Sequence, residues 1–262
     1  ISKQEESIMS QPVVLIVGAH HEEVEAEFPN IAAALSLAGC RVVILNPIGG
    51  WNWTAIRSLE GDGRTRTIAA ATAAAAALGC KKVIWDYPIA LAPEQQGELK
   101  RRMAAFFCDL QPDILLMHWA KDSHPDHQVV ANLTRHVASA ASNLVDDRIT
   151  TLAIKEIYAF QTGVGQAYDF APDMLVKTDD ETMRRAHAAL DCFRNTMPES
   201  AERWRANVVA KANYWQMLGS DTPAEALKFI GPRLPLDGFL LKKILGDRLV
   251  STAFDRYCQW TF

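Results

Sequence analysis

The chain has 262 residues, about half of them apolar, which suits one α/β domain with a core of ordinary depth. Its net charge of −4, with no long run of either sign, argues against nucleic acid or an anionic membrane as the main partner. No apolar run reaches the ~20 residues of a membrane span. Five cysteines without a C-x-x-C pair are typical of a reduced, cytoplasmic protein. We therefore expect a cytoplasmic protein whose partner is a small molecule, and a homo-oligomer is compatible with this composition.

In the first two thirds of the chain, short apolar strands alternate with helices. Gly39 and Gly79 each end a helix and lead into the next strand. All-apolar strands in this alternation predict a parallel sheet covered on both faces, that is, a Rossmann-like, doubly wound α/β fold. The predicted strands are 13–17, 42–45, 83–85, 114–117 and 154–160, and the predicted helices are 28–38, 65–78, 93–108 and 125–142.

The last third has a different character. It is predicted to contain a short strand near 174–176, two helices at 180–194 and 199–218, and then an irregular tail. No linker separates domains, so we expect a single domain over 1–262, with the polar residues 1–10 as a disordered leader. The C-terminal helices should pack around the pocket.

Two loops carry the chemistry. In a doubly wound sheet, ligands bind beyond the carboxyl ends of the strands, where the strand order reverses. In the common order 3-2-1-4, strands 1 and 4 are neighbours, and here strand 1 leads into GAHHEEVE while strand 4 leads into HWAKDSHPDH. His20 and Glu23 from the first loop and His127 from the second therefore predict a two-histidine, one-carboxylate metal site. Such a site suits catalytic zinc, another divalent metal or non-haem iron.

The remaining polar residues of the two loops suit catalytic roles. Glu22 is expected to stand beside the metal as a general base for water. His124 is expected to face it as an electrophile or general acid, oriented by Asp126 or Asp122. Each motif alone has an ordinary structural interpretation, since acids are favoured at a helix N-terminus. Their joint placement at adjacent strand ends favours the metal site.

At these motifs the chain resembles the PIG-L/LmbE family of metal-dependent de-N-acetylases. The family's second motif, D-x-H-P-D-H, is intact at 122–127, and its first, A-H-P-D-D-x-E, appears at 19–25 with His for Pro and Glu for both Asp. Pro223–Leu227 is similar to a third family segment, Y-A-E-A-F. The resemblance implies metal ligands at His20, Glu23 and His127, a general base at Glu22 and stabilisation of the tetrahedral intermediate by His124, with Asp126 as a neighbour in the same motif.

The resulting prediction is a zinc-dependent hydrolase of a C–N amide bond, acting on a small N-acyl compound, with sugar derivatives among the candidates. Arg64 and Arg66 are predicted substrate anchors, and Trp119 is predicted at the pocket mouth with Trp51 and Trp53. The alternative is a degenerate member that binds a sugar-like ligand without turnover, because both carboxylates of the first motif have changed.

Overall fold

The computed structural model describes residues 11–57, 59, 61–145, 151–163 and 166–252. The predicted leader, 1–10, therefore lies outside the described residues, as does Cys258. Over the described residues the chain forms an α/β fold with helices on both sides of a mostly parallel sheet, as the sequence predicts. None of the described helices has the length and apolar character needed to cross a membrane.

The described residues form eight strands and nine α-helices, with short 3-10 helices at Ala141–Asn143 and Gly246–Arg248. The strands are β1 (Val13–Val17), β2 (Arg41–Ile48), β3 (Lys81–Tyr87), β4 (Ile114–His118), β5 (Glu156–Phe160), β6 (Met174–Lys177), β7 (Ala224–Gly231) and β8 (Leu249–Ser251). The helices are α1 (Glu23–Glu27), α2 (Pro29–Leu37), α3 (Thr54–Arg57), α4 (Gly63–Ala77), α5 (Pro93–Leu110), α6 (Pro125–Ala140), α7 (Asp180–Asp191), α8 (Pro198–Gln216) and α9 (Leu240–Leu245).

The sheet has the order β3-β2-β1-β4-β5-β7-β6-β8. Strands β1 to β5 pair in parallel, and β7 then joins β5 in the antiparallel sense. The expected order 3-2-1-4 is confirmed, so β1 and β4 are neighbours and their carboxyl ends meet. The strand order reverses at this point, which is where a doubly wound sheet leaves room for a ligand.

Alternate residues of β1 belong to two different cores, because successive side chains of a strand point to opposite faces. Val14 and Ile16 pack with α2, α4, α7 and α8 on one face. Leu15 and Val17 pack with α5 and α6 on the other. Both faces are buried, which explains why β1 is a continuous apolar run.

The tail is more ordered than the sequence predicts. We expected an irregular segment after helix α8, and the structure instead has β7 inserted between β5 and β6, followed by α9 and β8. The apolar pattern of β7 is interrupted by Glu225, which is buried and holds a helix end through its carboxylate. A buried acid in a central strand hides the alternation on which strand prediction depends.

Candidate active site

The three acids of the first loop have three different environments. Glu22 precedes α1 and lines a cavity, Glu23 is buried among histidines, and Glu25 forms a fully buried ion pair with Lys82 of β3, with oxygens 2.7 and 2.8 Å from Nζ. The Asn46 side chain secures the loop by donating to the carbonyls of Gly18 and His20. Three acids of one loop therefore face different surroundings: the cavity, the histidines and Lys82.

Glu23 is the centre of the site. Its Oε1 lies 2.6 Å from His20 Nδ1 and 2.6 Å from His127 Nε2, and its Oε2 lies 2.8 Å from His118 Nε2. Burial favours the neutral acid, but His127, His118 and His20 together outweigh it and hold the pKa of Glu23 well below its usual range. The sequence-predicted ligands from the two loops therefore converge on one carboxylate.

The second nitrogen of each predicted histidine ligand faces an aspartate. His20 Nε2 lies 3.0 Å from Asp126 Oδ2, and His127 Nδ1 lies 3.2 Å from Asp122 Oδ1, close enough for an ion pair but not aligned as a hydrogen bond. A carboxylate behind the far nitrogen is the usual support of a metal-binding histidine. The Asp126 carboxylate thus backs His20 and also accepts the N–H groups of residues 90 and 91, so its contact with the His124 ring is made through its backbone.

His127 has an unusual electrostatic environment. Burial opposes its protonation, but the Glu23 and Asp122 carboxylates prevail and raise the pKa of His127 to about 10. Asp122 is itself anchored, because it accepts the backbone N–H of His124 at 2.8 Å and the hydroxyl of Thr162. The pKa of Asp122 falls to about 2, since these bonds and His127 outweigh the opposing effect of burial.

His118, the last residue of β4 and the first residue of the quoted HWAKDSHPDH segment, also belongs to the site. Its Nε2 accepts the backbone N–H of Ala19 at 2.7 Å while lying 2.8 Å from Glu23 Oε2. Its Nδ1 is buried and has no hydrogen-bond partner among the described residues. Burial, the largest effect, lowers the pKa of His118. Its position at the end of a buried strand was the only signal available in the sequence.

His124 is the N-cap of α6, with Pro125 at the first helical position, where a missing N–H costs little. The backbone N–H of Asp126 donates to His124 Nδ1 at 3.2 Å. Burial, followed by the neighbouring His127, lowers the pKa of His124. A neutral ring with Nδ1 as acceptor carries its hydrogen on Nε2, which leaves a hydrogen-bond donor for the cavity.

Glu22 and His21 are neighbours in a poorly hydrogen-bonded part of the loop. His21 Nδ1 lies 3.3 Å from Glu22 Oε2, yet both atoms are buried without an aligned hydrogen bond among the described residues. His21 stacks on Trp51 with ring centroids 6.0 Å apart. Burial lowers the pKa of His21. The Glu22 carboxylate is therefore not neutralised by a cation within the described part of the chain.

A cavity of about 370 Å³ lies over these groups. Predicted catalytic and metal-binding residues line one side of it, and helix α8 and the segment after β5 close the other. The sequence analysis missed the residues of that second side, because no motif marks them and only helix packing brings them here. The lining includes His20, Glu22, Glu23, His124, His127, Trp53, Thr162, Gln166, Arg203 and Trp204.

The predicted substrate-binding residues lie outside this lining. Arg64 pairs with Asp86 at 2.6 Å and stacks over Trp51, while Arg66 donates to the carbonyl of Asn195 at 2.8 Å. Trp119 donates from Nε1 to the Tyr168 carbonyl at 2.7 Å. Asp62 caps the start of α4 and so places both arginines in the first turn of that helix. Contact of these three with a substrate stays a prediction.

The described residues offer two groups of three metal-ligating side chains whose donor atoms all lie within 4.8 Å of one another. One is His20, His124 and His127, and the other is Glu23, His118 and His127. His127 belongs to both, and the predicted set of His20, Glu23 and His127 takes two members from each. Imidazole and carboxylate donors in this combination suit zinc and related divalent ions.

Comparison with known proteins agrees with this geometry. The family model for GlcNAc-PI de-N-acetylase, PIG-L, matches residues 15–138. This segment contains both histidine loops and the strands that carry them. No curated protein sequence matches the chain.

Solved structures share the fold at low identity. The 4-carboxy-2-hydroxymuconate hydratase GalB from Pseudomonas putida KT2440 is 18% identical, with a TM-score of 0.69, over 86% of this chain and 98% of that one. The N,N'-diacetylchitobiose deacetylase from Pyrococcus horikoshii is 19% identical, with a TM-score of 0.69, over 84% of each chain. The teicoplanin deacetylase Orf2, in a zinc-inhibited form, is 10% identical, with a TM-score of 0.58, over 83% of this chain and 97% of that one. Residues 15–138, which contain both histidine loops, are thus similar to the PIG-L family of de-N-acetylases, and the solved deacetylases share the fold.

Proposed function

We propose that the protein is a divalent-metal hydrolase, with zinc as the expected metal, that cleaves the C–N amide bond of a small N-acyl compound. The observation that carries the proposal is the position of Glu23 Oε1, 2.6 Å from an imidazole nitrogen of each loop. Three donor atoms from two segments a hundred residues apart meet at one point on the wall of a cavity.

The surroundings of the three predicted ligands suit a metal ion. His20 and His127 each turn one nitrogen to Glu23 and the other to an aspartate, which fixes the rings so that the nitrogen beside Glu23 is the one that would bind an ion. His20, Glu23 and His127 would hold the ion. When bound, a divalent ion supplies a Lewis acid that polarises the carbonyl of the substrate and acidifies a water.

The remaining chemistry belongs to side chains of the chain. Glu22 accepts the proton of the water that attacks the amide carbon, because its carboxylate lies in the cavity wall without a cationic partner among the described residues. His124 donates from Nε2 to the carbonyl oxygen as negative charge develops there. The C–N bond then breaks, Glu22 delivers the proton to the leaving amine, and the products are a carboxylate and an amine.

Two other functions use the same residues. The hydratase GalB shares the fold with the same TM-score as the chitobiose deacetylase, so the fold alone does not separate hydrolysis of an amide from addition of water to a C=C bond. A binding protein without turnover would retain the ligands but misplace Glu22. The Glu22 carboxylate, which lies beside the ligand cluster without an aligned hydrogen bond on its Oε2 among the described residues, favours a proton-transfer enzyme over the binding protein.

Measuring the metal content of each variant together with the release of amine tests the proposal. We expect about one divalent ion per chain in protein purified without chelator, loss of that ion in His20→Ala and His127→Ala, and retention in His136→Ala, an exposed histidine on the same helix as His127. Wild type should release amine from a panel of N-acetyl sugars and N-acyl amines, and chelation should stop it.

Each contrary result points to a different function. Equal and negligible metal in wild type and His20→Ala would overturn the metal site. Metal without amine release, but with hydration of 4-carboxy-2-hydroxymuconate, would make the protein a hydratase. Metal and measurable ligand binding with neither reaction would make it a binding protein.

A further inference from the structure

A second hollow lies next to the catalytic cavity along helix α8. Glu27, at the end of α1, lines both the catalytic cavity and a second hollow of about 310 Å³. Arg203 lines the first, and Asn207 and Lys211 line the second. These three residues are spaced four apart, so they form one stripe on α8 that borders both hollows.

The two cations of this stripe differ in their partners. Lys211 Nζ lies 2.7 Å from Glu27 Oε2, with both side chains largely buried, so its charge is neutralised. Arg203 has no ion pair within the part of the chain that the structure describes, and its side chain donates only a long hydrogen bond, 3.5 Å, from Nη2 to Ser200 Oγ. On the opposite side of the helix, Arg205 pairs with Asp191 at 3.0 Å. Arg203 is therefore the cation of α8 that is left for a ligand.

The surroundings of Arg203 suit a bound anion. The described residues that line the catalytic cavity contribute three carboxylates, from Glu22, Glu23 and Glu27, and one permanent cation, Arg203. The aromatic side chains of Trp53, which is exposed, and Trp204, which is buried, line the same cavity. A guanidinium presents paired N–H donors that match the oxygens of a carboxylate or a phosphate, and it is less strongly hydrated than an ammonium group.

We propose that Arg203 binds an anionic oxygen group of the substrate, a carboxylate or a phosphate, at the end of the cavity away from the scissile amide. This inference rests on the proposed function and narrows its substrate class to N-acyl compounds that carry a remote negative charge. The neutral part of the substrate lies between Arg203 and the cluster around Glu23, against the two tryptophans.

Matched ligands that differ in charge test this inference. We would measure binding by calorimetry in Glu22→Gln, which should bind without turnover, and kcat/KM in the wild-type background. The pairs are N-acetylmuramic acid against its carboxamide, and N-acetylglucosamine 6-phosphate against N-acetylglucosamine. We expect one acidic member to bind about tenfold more tightly than its neutral partner, the scale of a charge-assisted hydrogen bond. The pair that shows the difference identifies the anion as a carboxylate or a phosphate.

The variants assign the effect to one side chain. Arg203→Gln should abolish the advantage of the acidic ligand and leave the neutral ligand unchanged, whereas Arg205→Gln, two residues away on the same helix, should keep the advantage. Equal binding of acidic and neutral ligands in wild type, or an equal loss for both in Arg203→Gln, would overturn the inference while amide hydrolysis could still be measured. A charge preference that depends on Arg203 in a protein that releases no amine would support the anion site and reject the proposed function.

Discussion

Two buried carboxylates, one in the candidate active site and one in the C-terminal part of the sheet, are held in opposite ways. Glu23 faces three imidazoles, from His20, His118 and His127. Glu225 of β7 instead accepts hydrogen bonds at the N-terminus of α2. Its Oε1 accepts from the backbone and side chain of Asn30 at 3.1 and 2.7 Å, and its Oε2 accepts from the backbone of Ile31 at 2.8 Å. Both acids lie in segments that resemble family motifs, but their partners differ in kind.

The difference shows in the direction of the two pKa shifts. Burial raises the pKa of Glu225, and the amide donors and Lys211 do not compensate for it. Burial acts on Glu23 in the same sense, but the imidazoles reverse it and lower the pKa. Ionisable neighbours thus keep Glu23 charged, and a divalent cation can take the place of their protons. Neutral amides make Glu225 a helix cap with no place for a cation.

The largest expected effect comes from Glu22, the cavity acid whose nearest imidazole, His21, lies 3.3 Å away without an aligned hydrogen bond. Glu22→Gln keeps the shape of the side chain but removes the proton acceptor, so we expect kcat to fall by about 10²–10⁴. Metal content, measured by elemental analysis, should not change. Glu94→Gln, at an exposed position of α5, serves as the control. Loss of the metal in Glu22→Gln would mean that Glu22, and not Glu23, is the ligand.

His124 gives the next effect and separates the possible ligand sets. His124→Ala removes a hydrogen-bond donor to the reacting oxygen, so the rate should fall by about 10²–10³ while the metal stays bound. His127→Ala should lose the metal together with activity. If His124→Ala loses the metal as well, the ligands are His20, His124 and His127, which the positions of their donor atoms also allow. If His124→Ala loses the metal and His127→Ala keeps it, the roles of the two histidines are exchanged.

The alternation of apolar strands and helices was enough to predict the parallel half of the sheet and the meeting of the two loops. The antiparallel half was less predictable, because β7 carries the buried Glu225 and its partner strands are far apart in the sequence. In sequence, Glu225 was visible only as part of a family-like segment. Its role as an acceptor for the N-terminal N–H groups of α2 could be identified only from the position of that helix in the structure.

The sequence predicted the part of the candidate site that lies in the two motif loops, but it did not predict the residues contributed by other elements. His20, Glu23 and His127 could be named because strand order places their loops together. Arg203 and Trp204 could not, since they reach the cavity through the packing of α8 against α1, for which the sequence has no local signal. Arg64 and Arg66 were chosen by nearness in sequence, but Asp86 and the Asn195 carbonyl hold them outside the cavity lining.

Removing the Glu225 cap should affect stability without affecting the metal. Glu225→Ala leaves the N–H groups of Asn30 and Ile31 buried and without their acceptor, so the free energy of unfolding should fall by about 1–3 kcal/mol. Urea unfolding measures this loss, and elemental analysis of the folded fraction should give the wild-type metal content. Loss of metal in folded Glu225→Ala would show that the two carboxylates are coupled. Glu225 could then no longer be described as a purely structural counterpart of Glu23.

The smallest expected effect is the pH dependence that Glu225 contributes. Burial raises its pKa in the folded protein above the unfolded value, which lies near ~4.3. Between these two values the folded state binds more protons than the unfolded state, so the free energy of unfolding falls as the pH rises. The contribution is complete below the unfolded pKa and is lost as the pH passes the folded one. Glu225→Gln cannot titrate, so the unfolding free energy of wild type minus that of Glu225→Gln should decrease from about pH 4 to pH 7. An increase over this range would mean that the amide donors and Lys211 outweigh burial, and Glu225 would then be held as an anion in the same way as Glu23.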